Sequence, residues 1–104
     1  MDYQIMQGDQ YTVSIDISDV NGKTITDSFV EEMELIIGCV RKKYPGDIEF
    51  KNGKWSFLLT QQESMRLGYR VMHGQVRVKF TTGDVVGKQI GPFKIVESVS
   101  KDVL

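Results

Sequence analysis

The sequence predicts an all-β domain, an antiparallel sandwich of about seven short strands. Three observations carry this reading. Apolar and polar residues alternate with a period of two over several separate stretches, as they do on strands with one buried face. Turn signals recur every 8–12 residues, which is the spacing of small sandwiches and barrels. One wet face per strand argues for antiparallel sheets.

The clearest strand is "YTVSIDI", with Tyr11, Val13, Ile15 and Ile17 on one side and Thr12, Ser14 and Asp16 on the other. "MELII" aligns Met33, Leu35 and Ile37. Residues 28–40 also fit an amphipathic helix through Phe29, Met33, Ile36, Ile37 and Val40, but the β-branched residues and Gly38 favour a strand. "IEF" and "WSFLL" place Ile48, Phe50, Trp55, Phe57 and Leu59 on one face. "QVRVKF" offers Val76, Val78 and Phe80, and "FKIVES" offers Phe93 and Ile95. Asn52-Gly53 predicts a type I′ hairpin, because Asn and Gly tolerate positive φ at both central positions. Asn21-Gly22, Pro45-Gly46 and Gly83-Asp84 mark further turns. Gly91-Pro92 interrupts the last strand and predicts an edge or a bulge, since proline donates no ladder hydrogen bond.

"LLTQQESMRLGYR" breaks the alternation. Thr60 and Glu63 have capping-box spacing, so each side chain can satisfy the other's amide. The box predicts a two-turn helix over 61–67, with Gly68 as a left-handed C′ residue. The hydrophobic staple is missing, because Leu59 would meet Ser64. A helix this short needs tertiary support. It is expected as a crossover between sheets, with Met65 and Leu67 facing inward.

The bulk numbers bound the rest. The chain has 104 residues, which fits a single domain over 1–104. With 13 basic and 14 acidic side chains, it has no charge excess to attract nucleic acid. Nothing approaches the roughly 20 apolar residues of a membrane-spanning helix, so no membrane is expected as a partner. "MDYQIMQGDQ" lacks the basic and apolar regions of a signal peptide. The lone Cys39 excludes an internal disulfide and reads as a small buried filler.

Catalytic chemistry is thin. His73 is the single histidine and is expected at a strand end or turn. Cys/His spacing supports no zinc site. In "DISDVNGKTITDS", aligning Gly22 with the invariant glycine of a calcium loop puts Ile17 first and Ser28 last, and both fail as ligands. Asp16, Asp19 and Asp27 are left as an acidic turn. "RKKYPGD" reads as a solvated or edge-protecting basic run, offset by Glu31, Glu32, Glu34 and Asp47. Trp55 and Tyr44 read as core and rim. No catalytic, cofactor-binding or metal-binding residue is assigned, and an enzyme is not expected.

The order of the pieces carries a resemblance. Gly8-Asp9 precedes the first strand of "IMQGDQYTVSIDI". A strand closing in Leu59-Thr60 runs into the polar helical turn Gln61 to Leu67. Gly68-Tyr69 opens the next strand, Gly83-Asp84 follows it, and the last strand ends in V-E-S. This resembles the small β-sandwich modules of tailed-bacteriophage and prophage structural proteins, and is similar to the N-terminal domain of baseplate upper proteins. The resemblance implies an immunoglobulin-like sandwich acting as a tail or baseplate assembly module, without cofactor. It implies other virion proteins as partners, through self-association into a homo-oligomer or binding to a neighbour. It implies a place in the virion after synthesis in the host bacterial cytoplasm. The alternative is a stand-alone immunoglobulin-like module that binds carbohydrate or protein. That reading requires Tyr3, Tyr11, Tyr44 and Tyr69 to be exposed on one face.

Overall fold

A computed structural model of the protein describes residues 3–68 and 70–99. It is mostly β, with two sheets. In chain order the strands are β1 (Tyr3–Met6), β2 (Tyr11–Ile15), β3 (Val30–Ile37), β4 (Val40–Tyr44), β5 (Ile48–Lys51), β6 (Lys54–Leu59), β7 (Val71–Phe80) and β8 (Val85–Val96). A 3-10 turn, Asp27–Phe29, precedes β3, and a six-residue helix α1, Gln61–Arg66, lies between β6 and β7. The larger sheet has the order β1-β8-β7-β3-β4 and the smaller one β2-β6-β5. Their buried residues form one apolar cluster. From the larger sheet it takes Met33, Leu35, Ile37, Val76, Val78, Phe93 and Ile95; from the smaller, Val13, Ile15, Ile48, Trp55, Phe57 and Leu59. These are the inward residues that the alternation assigns.

The turns follow their chemistry. Asn52 and Gly53 have φ of +53° and +77°, as a type I′ hairpin needs. Gly38-Cys39 joins β3 to β4, with Gly38 at +57°, which suits the first central position of a II′ turn. Residues 30–44 therefore make a hairpin, and the helical reading of 28–40 fails. Cys39 sits exposed in that turn, contrary to the expected buried filler. Two consecutive turn residues have no room to fold inward.

Three further expectations are corrected. The described residues contain eight strands, because β1 and β4 carry little strand signal. β1 is four residues long and fully buries only Ile5. β4 is the basic run "VRKKY", and lysine is disfavoured in strands except at edges, where β4 lies. The larger sheet is mixed, because β1 runs parallel to β8 while every other pair is antiparallel. The bulge expected at Gly91-Pro92 is present. β8 continues through it, and the ladder with β7 skips from Met72·Phe93 to Gly74·Ile90. A bulge absorbs the proline's missing donor. Finally, α1 stops at Arg66, with Leu67 already extended at φ −71° and ψ 129°, and Gly68 takes no left-handed conformation. The Leu67 carbonyl instead accepts from Gln7 Nε2 at 2.7 Å.

α1 does connect the two sheets, since β6 belongs to the smaller and β7 to the larger. Leu67 is buried and Met65 half-buried. The capping box is complete: Glu63 N donates to Thr60 Oγ1 at 3.2 Å, and Thr60 N donates to Glu63 Oε1 at 3.0 Å. Replacing Thr60 with alanine should therefore lower unfolding stability by about 1 kcal/mol, read from urea denaturation. Association through any other surface should not change.

Candidate functional site

Beyond the edge strands β1, β2, β4 and β5, two places in the fold bring polar or unpaired groups together. One is a closed joint and the other is an open edge.

The joint ties Gly8-Asp9 to α1. Ser64 is the most deeply buried polar residue described. Its hydroxyl accepts from Gly8 N at 2.9 Å and donates towards the carbonyls of Asp9 at 2.8 Å and Gln61 at 3.1 Å. Gln61 Nε2 reaches the Gly8 carbonyl at 3.1 Å. The serine that replaces the apolar staple thus fastens the chain ahead of β2. Lys42 from β4 closes the far side, 2.8 Å from Glu63 Oε2, with both side chains largely out of solvent. Burial by itself would raise the Glu63 pKa. Hydrogen bonds from Lys42 and the Thr60 amide, with the lysine's charge, outweigh burial and hold it below the usual carboxylate value.

A depressed folded-state pKa contributes stability above the unfolded-state value, and this is lost as pH falls through the folded-state value. Glu63→Gln should therefore lower stability at pH 7, and the gap to wild type should narrow steadily on acidification below about pH 4.5. Denaturation midpoints of both proteins across that range give the check. Among the described residues no buried side-chain donor or acceptor lacks a partner, and the bonds of this joint hold the fold together.

The open edge lies at the other end of the same sheet. β7 and β8 have ten and twelve residues, while the strands of the smaller sheet have four to six, so the β7–β8 hairpin overhangs. Its turn is Thr81-Thr82-Gly83: Gly83 N donates to the Phe80 carbonyl, Phe80 N donates to the Asp84 carbonyl at 2.8 Å, and Gly83 has φ +96°. This is a three-residue loop with a glycine bulge. The Phe80·Asp84 bond also fixes the ladder's phase. Bonded pairs alternate with non-bonded ones in an antiparallel ladder. Val86 and Lys88 therefore aim their peptide groups at β7, and Val85, Gly87 and Gln89 aim theirs away.

β1 would cover those outward groups, but it pairs only with Phe93–Val96. Among the described residues, no strand pairs with residues 85–90 on that side. The side chains agree. Val86 shares the core-facing side of the sheet with Val76, Val78 and Ile90, yet it remains 53% exposed. Beneath it runs a groove of about 710 Å³ between the hairpin and residues 17–25, lined by Ile17, Val20, Ile25, Val78, Phe80 and Val86. Val20 is fully exposed at its mouth and Phe29 is 64% exposed nearby, while Val85, 56% exposed, lies on the opposite face of the sheet. The far wall is held firmly. Trp55 Nε1 donates to the Ile25 carbonyl at 2.9 Å, and Lys88 Nζ crosses the groove to the Ser18 carbonyl at 2.8 Å.

The structure disperses the other sequence candidates. Asp19 Oδ1 accepts from the amides of Asn21 and Lys23, as in an Asx turn, while Asp16 faces Lys54 at 3.7 Å. Among the described residues, no three acidic, histidine or cysteine side chains converge as metal ligands. His73 lies at the β7–β8 bulge. Of the basic run, Arg41 stands 3.9 Å from Glu34, and Lys42 serves the joint. Tyr3 stacks on Phe93 at 4.8 Å, and Tyr44 meets Trp55 edge-on at 5.0 Å. Tyr11 is exposed on β2, in the other sheet from Tyr44, and Tyr69 lies outside the described residues.

Sequence reasoning missed the open edge. "VVGKQI" carries one signal that could have marked it: two valines and a glycine with a single charge, where a guarded edge would carry several lysines or a proline. No known protein family, curated protein or solved structure matches the chain.

Proposed function

We propose that the protein is an immunoglobulin-like assembly module, a structural component of a phage or prophage virion that works through protein–protein contacts in the tail or baseplate. The observation that carries the reading is the β8 edge at residues 85–90, with β7 on one side and no strand on the other among the described residues. An exposed strand edge is a template for pairing, and isolated proteins guard theirs with charge or proline. Here one lysine is present and its ammonium is turned onto Ser18. Strand addition satisfies such an edge with main-chain hydrogen bonds, while alternate side chains fill the groove beside it. The motif order running from Gly8-Asp9 to Gly83-Asp84 supports placing the partner in a virion.

Light scattering of the purified protein, alone and mixed with the product of the adjacent gene, tests this function. A complex is expected, and Gly87→Pro should abolish it by removing an outward donor. A protein that stays monomeric and ignores its neighbours contradicts the proposal.

A further inference from the structure

We infer that the occupant of the β8 edge is a second copy of this chain, paired antiparallel about a two-fold axis that sets Val86 against its counterpart. The inference rests on the assembly reading above and names its partner. Antiparallel self-pairing of one strand is isologous, so each register gives every off-axis contact twice. The side chains on the edge decide among the registers. Centring on Lys88 would oppose two lysines, which destabilises a cross-strand pair. Centring on Val86 places two half-exposed valines together on the axis. It also lays Asp84 of each copy opposite Lys88 of the other, giving two charge-complementary pairs in which Lys88 exchanges its contact with the Ser18 carbonyl for the second copy's carboxylate. In this register the outward peptide groups of Val85 and Gly87 meet those of the second copy, so the main chain bonds as well as the side chains. The two five-stranded sheets would then join into one. Val86, which faces the core side without being covered, would become covered.

Charge exchange tests the register. Within one chain Asp84 and Lys88 are separated by about 13 Å of strand, so coupling between them can arise only between copies. Sedimentation equilibrium should show a wild-type dimer. Asp84→Lys and Lys88→Asp should each weaken it by about tenfold or more by opposing like charges twice. The double exchange D84K/K88D should restore it to within about threefold of wild type. Val86→Lys should leave a monomer with unchanged circular dichroism. As Asp84 borders the turn, Val86→Lys provides a reading independent of that turn.

A wild-type monomer at the highest accessible concentration overturns self-pairing. So does a dimer that survives Val86→Lys, or one whose single exchanges are not rescued by the double. The wider assembly reading stands or falls separately, on whether the neighbouring gene product binds and Gly87→Pro prevents it.

Discussion

Replacing Trp55 with alanine should lower unfolding stability by about 3–5 kcal/mol, the range for a large aromatic removed from a packed core. Trp55 is 1% exposed and belongs to β6 in the smaller sheet. Its ring meets Tyr44 of the larger sheet at 5.0 Å and Phe50 of β5 at 4.8 Å. Truncation opens a cavity between the sheets and removes the donor that holds Ile25. Trp55→Phe separates these effects. It retains most of the packing and leaves the Ile25 carbonyl without that donor, for a smaller loss of about 1–2 kcal/mol. Because Ile25 lines the groove, Trp55→Phe should also speed amide exchange across residues 17–25 while the β3 core keeps its protection. Equal destabilisation by both variants would contradict the separation.

The second large effect is expected at Gly91. Its φ of +107° is closed to side chains, and a Cβ there would lie 2.9 Å from Phe93 Cδ2 and 3.1 Å from Phe93 N. Phe93 is fully buried and stacked on Tyr3, so it cannot yield cheaply. Gly91→Ala should cost about 2–3 kcal/mol. Gly87→Ala is the matched control on the same strand. A Cβ at Gly87 meets nothing within 4 Å and its φ is ordinary. That change should stay within about 0.5 kcal/mol of wild type. Thermal melts of the two variants side by side give the comparison; a mild Gly91→Ala would mean the bulge accommodates side chains.

Much of this fold is legible in the sequence, because burial on one face of a strand leaves a period of two. Met33, Leu35, Ile37, Trp55, Phe57 and Leu59 can all be placed before any coordinates. The capping box is equally readable, since Thr60 and Glu63 act within one helical turn. The unreadable parts depend on contacts distant in sequence. Lys42 of "VRKKY" finds its partner in Glu63, which lies 21 residues further along the chain. Ser64 looks like a broken staple until Gly8 and Asp9, 56 and 55 residues away, are found bonded to it. The open edge is hardest, since it follows from where β1 begins to pair along β8, and no local pattern encodes that register.

The central claim is that residues 85–90 of β8 form the surface on which the protein assembles. Residue-resolved amide hydrogen exchange, in dilute protein and in the assembled state, tests it most directly. In dilute protein the outward amides of Val85, Gly87 and Gln89 should exchange quickly, while those of Val86 and Lys88, bonded to β7, are protected. Assembly should slow Val85 and Gly87 and leave Glu34 and Ile36 of β3 unchanged. If assembly leaves Val85 and Gly87 as fast as before, or protects another surface in their place, the β8 edge is not where this protein meets its partner.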